Sequence, residues 1–160
     1  MNKTLLTIAV LGLLILFTSA YYSSPADSRV GYKAPSLVLG DNNGLSPLQQ
    51  HMGEHVLLTF WTSTDVNSRL ADKRYDRISR TPAMHFTHVS VNLDRSASVF
   101  SSIVTIDDLN RSTHLTTSLD VQDDIIKRWR LDSGYHSFLI DPQGTIVAVD
   151  PDWQDLVALK

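Results

Sequence analysis

The sequence predicts an α/β fold, and three observations predict it. Residues 56–61, Val-Leu-Leu-Thr-Phe-Trp, form a near-continuous apolar run bounded by Gly53 and by polar residues, the pattern of a central strand buried on both faces. From Val66 the apolar period becomes helical, and a second strand follows near Thr87–Leu93, so strand, helix and strand make a right-handed parallel crossover. Near the C-terminus, Phe138–Ile140 and Ile146–Val149 flank Asp141-Pro142-Gln143-Gly144, a β-hairpin whose Pro and Gly sit where a type I turn prefers them.

The elements follow in order. Leu37-Val38-Leu39 before Asp41-Asn42-Asn43-Gly44 reads as a short edge strand closed by a turn, because Asn and Gly supply positive φ values. In the helix after Val66, the apolar stripe is Val66, Leu70, Ala71, Tyr75 and Ile78, while Asp72, Lys73, Arg74, Asp76 and Arg77 occupy the other face; Pro82 ends it. In the second strand Val89, Val91 and Leu93 alternate with Ser90 and Asn92. Residues 95–119 show one short helical pattern through Val99, Phe100, Ile103 and Val104, and no further element is assigned there. Over Asp120–Leu131 the stripe is Val121, Ile125, Ile126 and Trp129, with acids in the first turn and Lys127, Arg128 and Arg130 in the last, an order that complements the helix dipole. Asp150-Pro151 opens a short terminal helix carrying Trp153, Leu156 and Val157.

One domain is expected from 160 residues without repeats, and a core of this size needs no disulfide or metal, so the absence of cysteine is structurally tolerable. A formal charge of −3, with Lys and Arg spread along the chain, provides no basic stripe and argues against a nucleic-acid partner. Lys3, the apolar run Leu5–Phe17 and the small residues Thr18, Ser19 and Ala20 read as an export signal. The division expected is a signal peptide or membrane anchor at 1–20, a linker at 21–30 and the domain at 31–160. Cleavage near Ala20 is favoured because thirteen apolar residues are short for a membrane span of about 20. Membrane contact is expected only if the segment is retained. No lipid-attachment cysteine is present.

Three blocks then carry a resemblance over nearly all of the remaining chain: GYKAPSLVLGDNNG from Gly31, VLLTFWTSTDVNSR from Val56 and SFLIDPQGTIV from Ser137. With them the chain resembles exported thioredoxin-like proteins of the TlpA and ResA type, in the redoxin superfamily. The resemblance implies a three-layer thioredoxin-like sandwich, a mixed central sheet with helices on both faces, in the periplasm or on the outer face of the cytoplasmic membrane. Laid on the family's FWxxWCxxCR, the segment FWTSTDVNSR has Thr64 at the Trp, Asp65 at the first cysteine and Ser68 at the second. Tyr135, after Gly134, stands where the family has its cis-proline. A non-proline cis bond costs about 3–4 kcal/mol, so a trans bond and a remodelled loop are expected.

Thr64, Asp65, Ser68 and Tyr135 are thus vestigial active-site positions, and no catalytic residue is assigned. Thiol–disulfide exchange needs one thiolate to attack and a second thiol to resolve, and a serine without an adjacent base is no substitute. Asp65 is expected to cap the helix by accepting a backbone N–H near Ser68, an interaction contributing about 0.5–2 kcal/mol. His51 with His55, and His85 with His88, lack a zinc pattern and read as surface or strand-end histidines; no metal and no cofactor are expected. Trp61, Trp129, Trp153 and Tyr135 could line a ligand groove; Trp129 and Trp153 fall on apolar stripes and are expected in the core, which leaves Tyr135 for contact with a partner.

The function expected is non-catalytic: a redox-inactive domain outside the cytoplasm that binds a protein or peptide. The alternative is an enzyme of non-thiol chemistry in a rebuilt pocket around Asp65 and Ser68, and the two differ in whether Asp65, Ser68, Tyr135 and a histidine converge in one concavity.

Overall fold

The structure is a computed structural model that describes residues 27–40 and 46–159. The export segment, most of the linker and the turn at residues 41–44 lie outside the described residues. A short helix α1 (Pro47–Gln50) precedes β1 (Val56–Trp61), α2 (Val66–Ser79), β2 (Thr87–Asn92), α3 (Ala97–Ile106), β3 (His114–Thr116) and α4 (Leu119–Trp129). A 3₁₀ turn at Leu131–Ser133, β4 (Ser137–Ile140), β5 (Ile146–Val149) and α5 (Trp153–Val157) complete the chain. The five strands form one mixed sheet in the order β3-β2-β1-β4-β5. β1 is parallel to β2 in the middle of the sheet and antiparallel to β4, and β4 pairs antiparallel with β5. Crossover, central strand and hairpin stand as the sequence predicts. In the hairpin turn Gly144 N–H donates to the Asp141 carbonyl at 2.8 Å, and Gly144 has φ +80°, a value glycine adopts without strain.

Alternate residues of β1 serve two cores. Val56, Leu58 and Phe60 join Val89, Val91, Phe138 and Ile140 against Ile125 and Trp129 of α4. There Trp129 stacks edge-on to Phe138 at 4.9 Å between ring centroids and lies 5.3 Å from Phe60. On the opposite face Leu57 packs with Tyr75 of α2 and Leu156 of α5, and Trp61 packs with Val104 of α3. Helices therefore cover both faces of the sheet, in three layers.

Three expectations are corrected. Leu37 and Leu39 are buried in the core, but Leu37–Leu39 is not a strand; edge pairing occurs earlier, through a bridge between Lys33 and Thr145. Residues 95–119 contain the expected short helix, α3, and also the short β3, to which no sequence pattern pointed, paired parallel to β2. Trp153 is 54% exposed, because α5 is a short helix that buries Leu156 instead. α2 is rotated from the orientation its sequence pattern suggests: Tyr75 is buried as expected, but Val66 and Leu70 are 66% and 60% exposed, whereas Asp72 and Asp76 are 1% and 2% exposed. The face of β2 that carries His88, Ser90 and Asn92 is buried as completely as its valine face. Asp72 of the helix and His88 of the strand face each other there, while Ser90 accepts from Trp61 Nε1–H and Asn92 donates to Asp94.

Candidate functional site

The parallel crossover brings the chain out of β1 at Trp61 and turns it into α2 through Thr62–Asp65. Asp94, just beyond the neighbouring β2, anchors this loop: its two carboxylate oxygens each accept from Ser63 N–H at 3.0 Å, and Oδ1 also accepts from the Ser63 hydroxyl at 3.0 Å. Thr62 Oγ1 accepts from Asp65 N–H at 3.2 Å. Asp65 then caps α2 in extended conformation, its Oδ1 accepting from Ser68 N–H at 2.6 Å. Backbone and side-chain hydrogen bonds of Ser68 hold the Asp65 carboxyl below its ordinary range. The Ser68 hydroxyl donates to the Asp65 carbonyl at 3.2 Å. Thr64 is exposed.

Tyr135 reaches the same end of the sheet by another route. Thr59 pairs with Ser137, and Phe60 N–H donates to the His136 carbonyl at 3.2 Å, which sets the Gly134–His136 loop beside the exit of β1. The Gly134–Tyr135 bond is trans, and Tyr135 is half-buried against the α4-side core. His136 Nδ1 is engaged with Asp150 Oδ2 at 2.7 Å. A cleft of about 310 Å³ lies at the opposite end of β1, lined by Lys33, Leu37, Glu54, Val56 and Ile140 among others. Asp65, Ser68 and Tyr135 do not line that cleft: Ser68 is buried, and Asp65 and Tyr135 are partly exposed.

Beneath α2 the structure assembles a second polar constellation, which the sequence reading missed. Thr59 of β1, His88 of β2, His114 of β3 and Asp72 of α2 are all buried. Asp72 Oδ1 accepts from the Thr59 hydroxyl at 2.6 Å, and Oδ2 accepts from His114 Nε2–H at 2.9 Å. Thr59 Oγ1 lies 3.0 Å from His88 Nε2; with its own proton directed to Asp72, the hydroxyl accepts from His88. His114 Nδ1 is 2.8 Å from the Asn110 carbonyl. A carbonyl and an ionised carboxylate only accept, so His114 donates from both nitrogens and is an imidazolium in this arrangement.

Burial works to lower the His114 pKa, but Asp72, the Asn110 carbonyl and Asp76 outweigh it and leave the value raised. Burial likewise works to raise that of Asp72, and the hydrogen bonds from His114 and His88 overcome it, leaving the carboxyl well below its ordinary range. His88 is accordingly not a strand-end surface histidine: its side chain is fully buried, while His85, three residues before it, is exposed. The available signal was His88, Ser90 and Asn92 at every second position of a strand whose other face is apolar, but alternation alone does not say what covers the polar face.

No protein-family model matches the chain, and no curated protein matches it. Solved structures do. A thioredoxin-like protein from Parabacteroides distasonis is 25% identical, with a TM-score of 0.63 over 79% of this chain and 90% of that one. A thiol:disulfide interchange protein from a Bacteroides species is 23% identical, with a TM-score of 0.66 over 81% and 86%. The thioredoxin domain of a thiol-disulfide oxidoreductase from Bacteroides vulgatus is 24% identical, with a TM-score of 0.62 over 84% and 95%. The strand order, the crossover into α2 and these likenesses identify the chain as having the thioredoxin-like fold of thiol-disulfide oxidoreductases, with Asp65 and Ser68 at the two positions that the resemblance assigns to cysteine.

Proposed function

We propose that this chain is a redox-inactive thioredoxin-like domain that acts outside the cytoplasm by holding a protein or peptide partner against the sheet end formed by Thr62–Asp65 and the Tyr135 loop. The observation that carries this reading is the exposure of Val66 and Leu70, on consecutive turns at the start of α2, beside a site that has no thiol to do chemistry. Single apolar residues on a surface need no explanation, but two on one helix face next to an open aromatic loop form a contact surface of the kind interfaces use. Export rests on Lys3, the run Leu5–Phe17 and Thr18–Ala20. The hydroxyl and carboxylate of Ser68 and Asp65 are spent on capping, which favours binding over a rebuilt catalytic pocket.

A photo-reactive residue placed at Leu70 tests the reading, with one at Met52 as control. Met52 is 63% exposed and lines the cleft at the far end of β1. Discrete adducts in the cell envelope from position 70 and none from position 52 are expected. Equal labelling at both, or none at 70, overturns the proposed surface.

A further inference from the structure

The geometry points to a buried structural site for a divalent transition metal, zinc by its donor set, formed by Asp72, His88 and His114 with Thr59 completing the shell. Each donor comes from a different regular element, α2, β2, β3 and β1, so the rigid parts of the fold fix the constellation. One donor atom from each of Asp72, His88 and His114 lies within 4.8 Å of the other two. Tetrahedral zinc with bonds of about 2.0–2.2 Å places its donors about 3.3–3.6 Å apart. Three separations approach that, 2.9 Å from Asp72 Oδ2 to His114 Nε2, 3.5 Å from Asp72 Oδ1 to His88 Nε2 and 3.0 Å from His88 Nε2 to Thr59 Oγ1, while Thr59 Oγ1 and Asp72 Oδ1, now hydrogen-bonded at 2.6 Å, must part to admit a metal. Two imidazoles and a carboxylate are borderline-soft and hard donors that zinc accepts together.

Two further features bear on the site. His114 turns its other nitrogen to the Asn110 carbonyl, the outer contact that fixes the orientation of a ligating histidine. His88 is fully buried, yet its Nδ1 has no hydrogen-bond partner, so the network leaves this imidazole half-satisfied. A bond to metal at Nε2 places the ring proton on Nδ1, which stays without a partner, so the case for the site rests on the donor positions. On binding, the metal takes the place of the His114 Nε2 proton, which leaves to solvent, and of the His88 Nε2 proton, which moves to Nδ1 so that this imidazole stays neutral; the metal's charge takes over the role of the imidazolium opposite Asp72. Because all four side chains are enclosed, the site is of the closed, structural kind and leaves no position for substrate.

The test uses the full chain stripped with a strong chelator and then titrated with Co²⁺ or Zn²⁺. One Co²⁺ per chain with the visible absorption bands of a four-coordinate site, and a chelator-reversible rise in melting temperature with Zn²⁺, are expected. His88→Gln should abolish both, whereas His85→Gln and His136→Gln, at accessible positions, should leave both intact. Should His88→Gln fail to fold, the wild-type cobalt spectrum and the melting shift decide alone. Absence of four-coordinate bands, an unchanged melting temperature, or metal binding that survives His88→Gln and disappears with His85→Gln overturns the site.

Discussion

Asp65 shows how a position can keep its electrostatics while its chemistry changes. Its carboxylate meets the Ser68 N–H at the start of α2, where the helix dipole favours negative charge. Asp65→Ala should therefore lower stability by about 1 kcal/mol, and Asp65→Asn by less, in chemical denaturation at neutral pH. An Asp65→Ala chain as stable as wild type would refute capping. The folded carboxyl titrates below its unfolded value of about 3.9, so its contribution is present above that pH and is lost as pH falls through the folded value. The gap between wild type and Asp65→Asn should close in acid correspondingly. Tyr75 makes a simpler case: its hydroxyl donates to the buried Pro151 carbonyl at 2.8 Å, tying α2 to the start of α5. Tyr75→Phe should cost about 1 kcal/mol, and no loss on equilibrium unfolding would mean that this bond is not formed in solution.

At the level of elements, the instructive case is α2. Its sequence divides into an apolar and a charged stripe, and on composition the apolar stripe should face the sheet. Tyr75, and more partially Ala71 and Ile78, do pack there, but the helix is rotated so that Asp72 and Asp76 go in and Val66 and Leu70 stay out. The reason is on the neighbouring strands: His88 and His114 supply Asp72 with donors, and Asp76 is held by Arg80 and by Asn110 N–H at 3.2 Å. β1, β2 and the hairpin were legible because each announces itself within its own residues. The polar interior was not, because it depends on a match between α2, β2 and β3, and residues 72, 88 and 114 have no local signal in common. This assignment predicts an inverted substitution pattern. Asp72→Ala leaves a buried imidazolium unpaired and should cost about 3–5 kcal/mol, whereas Leu70→Gln on the exposed face should stay within about 0.5 kcal/mol. Urea denaturation in the presence of chelator reads both without a contribution from bound metal; equal losses at the two sites would restore the conventional orientation.

For the whole molecule, the question is how much of the redox frame survives without its cysteines. The strand order, the crossover loop and the cap of α2 remain, while Tyr135 follows a trans bond and the Ser68 hydroxyl has turned to the backbone. If the frame is intact, restoring thiols by Asp65→Cys together with Ser68→Cys should restore the electrostatics of a reactive cysteine. A thiolate at position 65 would meet the same Ser68-position N–H and the same helix N-terminus that now hold the Asp65 carboxyl below its ordinary range. Its pKa should then fall below the ordinary thiol value of about 8.5, and the second cysteine, one turn away, should close a disulfide with it in air. The first effect is read as the pH dependence of alkylation rate in the Asp65→Cys single variant, the second as loss of alkylatable thiol in the double variant. An alkylation midpoint at or above about 8.5 would mean that the field at the start of α2 no longer favours an anion there, and that the capping bond to Ser68 is a local contact without the electrostatics of a redox site.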